Sequence, residues 1–287
     1  DGLLTSLDVS QNTALQILAC PYNQLTDLDI SKNTALTHLN CSMNQLTALD
    51  VNKNADLNIL ECYYNQLTNL DISKNTTLYN LDCRNNQLTS IDVSQNTALV
   101  ELGLDDNQLT SLDVSQNVVL SDMYCLNNQL IDLDVSNNPL LHLLYFSGNQ
   151  LQSLNLKNGN NTNILMMHAE NNPNLACIQV DDPGAAYSNP YWIKDATAIY
   201  STECILSVNE TEKLNIEIYP NPAKSVLNIE TSLKIEKINV YDTSGKIVKT
   251  LQNAGKTIDV SRLQNGVYHL EIFTDRGKVF RKFIVNN

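Results

Sequence analysis

The pair Asn-Gln returns every 21 residues through the first half of this 287-residue chain, and this period constrains the fold more than any other feature. The asparagines of the seven pairs are Asn23, Asn44, Asn65, Asn86, Asn107, Asn128 and Asn149. A fixed period of about 20–50 residues is typical of solenoids, in which single units cannot bury their own apolar face and stack to share one core. The period therefore predicts a solenoid.

Each unit contains two copies of a shorter apolar pattern. In the first unit these are Leu-x-x-Leu-x-Val-x-x-Asn, from Leu4 to Asn12, and Leu-x-x-Leu-x-Cys-x-x-Asn, from Leu15 to Asn23. Alternating apolar residues are typical of a strand that is buried on one face. We therefore expect two short strands and two turns in every coil. At the turns, buried Asn side chains can pair with backbone N–H and C=O groups of the next coil.

These patterns resemble the leucine-rich repeat, and the 21-residue double form is similar to the nested bacterial class called IRREKO. Seven clear repeats and a diverged eighth cover about residues 3–176, and the eighth carries a two-residue insertion around residues 157–161. The resemblance implies a leucine-rich repeat solenoid over residues 1–176, built from two parallel β-sheets.

Charge is unevenly distributed along the chain. Residues 1–206 contain six Lys and Arg against 22 Asp and Glu, a balance of −16, whereas residues 207–287 contain 12 against nine, a balance of +3. The change of sign predicts a domain boundary near residue 206. An acidic solenoid argues against nucleic acid and anionic membranes as partners. The apolar runs are far shorter than the roughly 18 residues of a membrane-spanning helix, so no transmembrane segment is expected.

The seven cysteines fall into two groups. Five share one inward position of the repeat, which Leu104 and Phe146 occupy in other coils: Cys20, Cys41, Cys62, Cys83 and Cys125. Because Leu and Phe fill the same position, we expect buried, reduced thiols, although neighbouring coils about 4.8 Å apart would allow a disulfide by distance. Cys177 and Cys204 bracket an irregular aromatic segment and are predicted to form a disulfide in a C-terminal cap over residues 177–206.

After residue 206 the period gives way to alternating strands. About seven short strands in some 80 residues predict a small immunoglobulin-like β-sandwich over residues 207–287, so the whole chain is expected to be mainly β. Ser244-Gly245 and Arg276-Gly277 lie where hairpins should reverse direction. Pro220 and Pro222 cannot donate to a central ladder and predict an edge or a turn.

Several short elements of this second region match a known family. They are Tyr219-Pro220-Asn221-Pro222, Leu227-Asn228-Ile229, the VYDTSGK run of residues 240–246, Asn265-Gly266-Val267-Tyr268, and Lys282-Phe283-Ile284-Val285. Together they resemble the C-terminal sorting domain of the type IX secretion system of Gram-negative bacteria.

The resemblance implies an export address that the outer-membrane secretion machinery recognises, and a location outside the cell or on its outer surface. In that family the domain is often removed as the cargo is anchored or released. The sorting-motif residues would be Tyr219, Pro220, Asn221, Pro222, Gly245, Lys246, Gly266, Tyr268 and Lys282. The alternative is an immunoglobulin-like spacer.

The sequence contains no recognisable catalytic constellation. His38 and His168 both point to the solvent face but lie six coils apart, on the order of 29 Å. No His-Glu-x-x-His, Gly-x-Ser-x-Gly, Walker or Cys-x-x-Cys pattern is present. We expect neither an enzyme nor a cofactor.

A column of carboxylates raises the question of calcium. The aspartates of the Leu-Asp-Val segments stack on one side of the predicted solenoid: Asp8, Asp29, Asp50, Asp71, Asp92, Asp113 and Asp134. Carboxylates about 5 Å apart repel one another unless something compensates. Calcium is one candidate, and hydrogen bonds to nearby Ser and Thr hydroxyls, with lysines close by, are the other.

The solvent face of the short strands is free to vary, and tyrosines gather there beside acids and a lone arginine. This composition is typical of protein interfaces. We define the candidate strip as Tyr22, Glu61, Tyr63, Tyr64, Asp82, Arg84, Asp105, Tyr124 and Tyr145. The alternative is a set of ordinary solvated positions.

Together these patterns favour a secreted or surface-displayed leucine-rich repeat protein that mediates adhesion by binding a protein or glycan, with the last domain directing export. One alternative is a rigid surface stalk without a specific ligand, and another is an accessory region of a larger secreted enzyme. Because Asp1 falls in the middle of the repeat pattern, we expect further sequence upstream, and its content would separate these functions.

Overall fold

The computed structural model describes residues 2–204, 216–231, 233–242, 246–252, 255–274 and 277–286. The chain divides into two compact units, Asp1–Leu206 and Ser207–Asn287. Each unit has its own core, and the two are described separately. Gly245 of the predicted sorting motif, and Ser244 and Arg276 of the predicted hairpins, lie outside the described residues.

The first unit is a solenoid of stacked coils whose main sheet is parallel. Its strands are β1 Ile17–Ala19, β2 His38–Asn40, β3 Ile59–Glu61, β4 Asn80–Asp82, β5 Glu101–Gly103, β6 Asp122–Tyr124, β8 Leu143–Tyr145, β10 Met166–Ala169 and β12 Trp192–Lys194. They form a nine-stranded sheet in that order. The register advances by one repeat per strand, so that Leu18 pairs with Leu39 and Leu39 pairs with Leu60. We call this the short-strand sheet.

A second parallel sheet is confined to the C-terminal coils. It contains β7 Asp132–Asp134, β9 Ser153–Asn155, β11 Cys177–Gln179 and β13 Ile199–Ser201, in the order β13-β11-β9-β7. The Leu-Asp-Val segments of the first six coils contain no strand, although Val51, Ile72 and their equivalents are buried. The prediction of two strands in every coil is therefore wrong for these coils, because alternating apolar residues indicate burial and do not require a backbone ladder.

The coils share one continuous apolar core. The five cysteines of the repeat are buried and free, as predicted, and burial raises the pKa of thiols such as Cys41 and Cys62. The diverged eighth coil accommodates its insertion with a 3-10 helix, Asn161–Asn163, and still buries Ile164 and Met167 at the expected positions.

The asparagines of the Asn-Gln pairs hold consecutive coils together. Asn44 Nδ2 donates to the carbonyls of Cys20 and Cys41, each at 3.0 Å, and Asn44 Oδ1 accepts from Leu25 N at 3.0 Å. The arrangement repeats at Asn65, Asn86, Asn107, Asn128 and Asn149. Of these bonds of Asn44, the one to Cys20 reaches the preceding coil and the other two stay within its own coil, whereas the sequence predicted bonds to the next coil.

A second row of buried asparagines is less fully bonded. Asn54 Nδ2 donates to the carbonyls of Ile30 and Asn33, at 3.2 and 2.8 Å. The side-chain oxygen has no hydrogen-bond partner in Asn33, Asn54, Asn75, Asn96, Asn117 and Asn138. The two rows therefore make unequal contributions to the backbone of the turns.

The end of the solenoid is covered by an irregular cap. Helix α1, Pro183–Ser188, starts at Asp182, whose carboxylate accepts from Gly184 N at 2.8 Å. Trp192 is buried and its Nε1 donates to Ile164 O at 3.0 Å. The predicted disulfide between Cys177 and Cys204 is present in this region.

The second unit is a small antiparallel β domain. Its strands are β14 Glu217–Tyr219, β15 Val226–Glu230, β16 Ile235–Tyr241, β17 Ile247–Gln252, β18 Thr257–Asp259, β19 Gly266–Thr274 and β20 Gly277–Val285. They form a three-stranded sheet, β14-β15-β18, and a four-stranded sheet, β17-β16-β19-β20. Buried side chains of both sheets, such as Leu227 and Leu270, share one core. Pro220 and Pro222 follow edge strand β14, as predicted for residues that cannot join a central ladder.

Candidate binding face of the short-strand sheet

The nine residues of the candidate strip lie in the strands of the short-strand sheet or in the turns that follow them, and all but the buried Asp105 are at least partly exposed. The structure brings Tyr63, Asp82, Arg84 and Tyr124 into direct contact. Tyr22 belongs to the first coil and is roughly 29 Å along the stack from the coil of Tyr145. The candidate strip is therefore a central cluster with outlying members.

Arg84 is the centre of that cluster. Its Nε donates to Asp82 Oδ1 at 2.8 Å and its Nη2 donates to Asp82 Oδ2 at 2.6 Å, the two-pronged geometry that guanidinium and carboxylate favour. The guanidinium carbon lies 6.0 Å from the ring centre of Tyr63 and 5.9 Å from that of Tyr124, within the range of cation–π attraction. One ion pair and two rings thus fix a side chain that is still partly exposed.

Gly103 makes room for this arrangement. A Cβ at Gly103 would lie 3.1 Å from Asp82 Oδ1 and 3.4 Å from Arg84 Cδ, so a side chain there would press on the ion pair. Gly103 pairs with Asp82 on one side and Tyr124 on the other. The sequence prediction did not include Gly103. It could have been found from the sequence, because the equivalent position of the other coils carries a side chain.

Carboxylates surround the arginine in excess. Asp105 is only 8% exposed, its Oδ1 accepts from Leu126 N at 2.7 Å, and burial raises its pKa to about 6. Burial, followed by the neighbouring charge of Asp122, raises the pKa of Glu101. Arg84 is the only Lys or Arg in strands β1–β10 of the short-strand sheet and the turns that follow them. The face therefore has more negative charge than its own cation offsets.

Stacked rings extend the cluster toward the C-terminal coils. The rings of Tyr124 and Tyr145 are 5.3 Å apart and nearly parallel, at 8°, and Tyr145 lies 5.0 Å from the ring of His168. The Tyr145 hydroxyl contacts Met166 Sδ at 3.2 Å. Such packing holds aromatic side chains in place before a partner arrives. Sequence analysis missed His168 and Met166 as neighbours of Tyr145, because it assigned no contacts between adjacent coils on this face.

The turn after each short strand has an unusual backbone. The residue before each Asn-Gln pair, or before its equivalent Asn172, has a positive φ: Tyr22, Met43, Tyr64, Asn85, Asp106, Asn127, Gly148 and Asn171. In this region L-residues other than Gly, Asn and Asp are disfavoured. Tyr22 and Tyr64 are thus held in strained positions with their rings exposed.

The aspartate column on the other side of the solenoid is compensated within each coil. Asp8 Oδ1 accepts from Ser10 N at 2.9 Å, and Asp71 Oδ1 accepts from Ser73 N at 3.0 Å. These backbone hydrogen bonds, with a contribution from the serine hydroxyls, lower the pKa of Asp8 and Asp71. The backbone N–H two residues ahead therefore compensates the aspartates together with the serine hydroxyls that the sequence suggested, and at Asp92 the hydroxyl of Ser94 contributes more than the N–H.

Among the described residues, no group of three or more His, Cys, Asp or Glu side chains is arranged to hold a metal ion. Calcium at the aspartate column stays one of the two alternatives that the sequence leaves open.

The sorting-motif residues concentrate in one part of the second unit. Tyr219 ends β14, Gly266 begins β19, and Lys282 lies near the end of β20. Tyr268 is buried, and its hydroxyl donates to Gln264 O at 2.9 Å. Lys246 lies apart, between β16 and β17, where its N–H donates to Asp242 Oδ1 at 3.1 Å.

The fold defines a leucine-rich repeat solenoid followed by a small antiparallel β domain. Residues 217–286 match the family described as the secretion system C-terminal sorting domain. The chain is thus a leucine-rich repeat protein with a C-terminal sorting domain, as the sequence resemblance implied.

A solved structure supports the repeat fold. A leucine-rich repeat protein of Leptospira interrogans is 25% identical with a TM-score of 0.50, and the similarity covers 65% of this chain and 50% of that one. The functional domain of InlJ from Listeria monocytogenes, described as including a cysteine ladder, is 20% identical with a TM-score of 0.43 over 99% of this chain and 84% of that one.

A sequence relative shares a shorter segment. Beta-agarase D of Zobellia galactanivorans is 40% identical over 75 residues, which are 26% of this chain and 15% of the agarase. The match is therefore too small to carry the agarase's activity to this chain.

The sorting domain indicates secretion to the cell surface or the extracellular space, and it implies an interaction with the secretion machinery. Within the described part of the chain, no helix is long and apolar enough to cross a membrane.

Proposed function

We propose that this protein binds a partner protein at the cell surface or outside the cell, that the candidate strip is the binding site, and that the contact serves adhesion. The partner presents lysine or arginine side chains to the strip. The observation that carries this proposal is the setting of Arg84, which is paired with Asp82 and flanked by the rings of Tyr63 and Tyr124.

One side chain of the strip, Arg84, is itself cationic and is held by a carboxylate and two rings. The other rings and carboxylates of the strip can bind cationic groups of a partner in the same way. Tyrosine rings and carboxylates attract guanidinium and ammonium groups, and the attraction strengthens where water is excluded. The carboxylates of Glu101 and Asp105 interact with Arg84, and Asp122 lies beside Glu101. Arg84 is the only Lys or Arg in strands β1–β10 of the short-strand sheet and the turns that follow them. A basic partner would supply the missing positive charge.

The tyrosines are suited to serve as anchors. Interface hot spots are enriched in Tyr, Trp and Arg, and the rings of Tyr and Trp bury a large area for little lost conformational freedom. Tyr124 and Tyr145 are stacked on each other, and Tyr63 packs edge-on against Tyr64 at 6.1 Å. A glycan could also stack on these rings, but the excess of carboxylates favours a protein with a basic surface.

The proposal is tested by presenting the labelled full chain to an array of extracellular proteins and to a glycan array. We expect binding to basic proteins that falls with salt. Replacing Tyr63 and Tyr124 by Ala should weaken it by about 2–4 kcal/mol in total. The control is Tyr79→Ala, since this tyrosine is exposed and precedes β4, outside the strip.

Equal binding by wild type and the double variant would contradict the site. Absence of binding on both arrays would favour the stalk without a ligand, and binding to glycans alone would replace the protein partner with a glycan.

A second candidate function follows from the agarase match, in which an enzyme shares a 75-residue segment with this chain. This chain would then be an accessory region of a larger secreted enzyme. Sequencing the gene upstream of Asp1 tests this function, because a catalytic domain there would favour it and a signal peptide directly before the repeats would exclude it.

A further inference from the structure

The two ends of the sorting domain meet along the last strand. Asn221 Oδ1 accepts from Ile284 N at 2.9 Å, and Asn221 Nδ2 donates to Lys282 O at 3.3 Å. Ala223 N donates to Ile284 O at 2.8 Å. Asn221 and Ile284 are 63 residues apart in the sequence, so a single side chain connects the first matching element to the last.

A third matching element lies beside the same strand end. In the β19–β20 pair, Val267 is opposite Ile284 and Tyr268 is opposite Phe283. Tyr268 and Phe283 are buried, whereas Ile284 is exposed, as the two-residue alternation of a strand requires. The elements containing Tyr219-Pro220-Asn221-Pro222, Gly266-Val267-Tyr268 and Lys282-Phe283-Ile284-Val285 therefore form one surface.

Some side chains of this surface are not needed by the core. Tyr219 is 49% exposed and Ile284 is 39% exposed, and Lys282 is also exposed. We name Tyr219, Asn221, Lys282 and Ile284 the joined-ends surface. These exposed residues, which Asn221 connects through the backbone of residues 282 and 284, fit a partner that offers apolar contacts and a carboxylate.

We propose that the outer-membrane secretion machinery recognises the joined-ends surface as a single composite site, and that Asn221 is the positioning residue that assembles it. The inference rests on the sorting role of the domain. The region that matches the sorting family runs from residue 217 to residue 286, so it begins and ends at this surface. If the machinery recognised only the first or only the last of these elements, recognition would not depend on the hydrogen bonds by which Asn221 connects them.

The opposite edge of the four-stranded sheet provides a matched control. Ile247 and Val248 of β17 are 50% and 40% exposed, so this edge displays an apolar pair of similar exposure. The order β17-β16-β19-β20 places Ile247 and Val248 at the edge opposite β20, which carries Ile284. Tyr219 ends β14 in the other sheet of the domain. Asn228 is a control for Asn221, because its Nδ2 donates to Tyr219 O at 3.0 Å but does not bridge the two ends.

The experiment expresses the full chain in a bacterium with a type IX system and measures the fraction at the cell surface by protease accessibility of whole cells. Four variants are compared: Asn221→Ala, Asn228→Ala, Tyr219→Ser with Ile284→Ser, and Ile247→Ser with Val248→Ser. Thermal melting of each purified chain checks that the domain is folded. The Tyr219 and Ile284 pair keeps the Asn221 hydrogen bonds, which reach only the backbone of residues 282 and 284.

We expect Asn221→Ala and the Tyr219/Ile284 pair to lower surface display roughly tenfold, which corresponds to about 1.4 kcal/mol of receptor affinity. The Asn228 and Ile247/Val248 variants should be exported like wild type. Normal export of the Tyr219/Ile284 pair, or equal retention of the Ile247/Val248 pair, would overturn the composite site. A chain lacking residues 207–287 distinguishes failure of the composite site from failure of the sorting role. Export of this truncated chain would contradict the sorting role itself.

Discussion

Two sets of carboxylates run along the solenoid, and their chemistry differs. On the Leu-Asp-Val side, one aspartate per coil accepts a backbone hydrogen bond from its own coil, and the pKa of residues such as Asp8 and Asp71 is lowered. On the short-strand face, burial and neighbouring charges raise the pKa of Glu101 and Asp105. The repeated aspartates are stabilised by hydrogen bonds from their own coil. The carboxylates of the short-strand face vary between coils, and their negative charge exceeds the positive charge of the face.

This difference separates structural from functional positions in a repeat protein. Residues that recur in every coil, such as Asn44 and Asn65, bind the backbone of their own stack. Residues that interrupt a column, such as Arg84 and Gly103, create the features that distinguish one part of the face from another. Substitutions in the two classes should therefore change different quantities.

The largest expected effect is on stability, at the repeated asparagines. Asn65→Ala would leave the buried Leu46 N without a partner and would remove one of the two donors of Cys41 O and of Cys62 O, which keep Asn44 and Asn86. We expect a loss of about 3 kcal/mol in the free energy of unfolding. Asn54→Ala should cost less, about 1 kcal/mol, because Ile30 O and Asn33 O keep their backbone donors Asn33 N and Leu36 N and no N–H loses its partner. Urea denaturation measures both, and a larger loss for Asn54→Ala would contradict the account of the two rows.

The next effect concerns pH and has opposite signs in the two sets of carboxylates. Because burial raises the pKa of Asp105 to about 6, the folded state binds this proton more tightly than the unfolded state. The free energy of unfolding should therefore fall as pH rises from about 4 to about 6, and Asp105→Asn should be more stable than wild type by about 2 kcal/mol at neutral pH. The asparagine amide oxygen can still accept from Leu126 N.

Asp71 is the control for this pH effect. Since its pKa is lowered in the folded state, its contribution is present at neutral pH and is lost as pH falls through the folded-state pKa. Asp71→Asn should therefore give no gain in stability at neutral pH. Urea midpoints at pH 4 and pH 7.5 measure both variants, and a gain for Asp71→Asn equal to that for Asp105→Asn would contradict the contrast.

The smallest expected effect is at the strained turns. Tyr64 has a φ of 51°, which a residue with a Cβ adopts only at a cost, so Tyr64→Gly should raise the free energy of unfolding by about 0.5–1 kcal/mol. Gly148→Ala should do the reverse, because φ is 72° and the new Cβ would lie 2.4 Å from Asn127 Oδ1. Urea denaturation checks the pair, and stabilisation by Gly148→Ala would show that the turn is not strained.

Periodicity predicted the elements of the fold that repeat. The solenoid, its apolar core, the shared position of Cys62 and Leu104 and the change to antiparallel strands all follow from spacing and alternation. The strand content of the first six Leu-Asp-Val segments did not follow, because side-chain alternation predicts burial and carries no information on whether neighbouring backbones come within hydrogen-bond distance.

The candidate site was predictable as a set of outward residues and not as a cluster. Composition selected Tyr63, Arg84 and Tyr124, but contacts between coils depend on rotamers and on the space that Gly103 leaves. The raised pKa of Asp105 also depends on burial, which its outward position in the repeat did not indicate.

The central claim is that the short-strand face, and not acidity in general, binds a basic partner. The most direct measurement is calorimetric titration of the full chain with an oligolysine peptide at low ionic strength, for two variants that each remove two negative charges. Glu101→Gln with Asp122→Asn changes the short-strand face, and Asp71→Asn with Asp92→Asn changes the aspartate column. We predict that the first pair weakens binding roughly tenfold and the second much less. Equal weakening by the two pairs would contradict the claim.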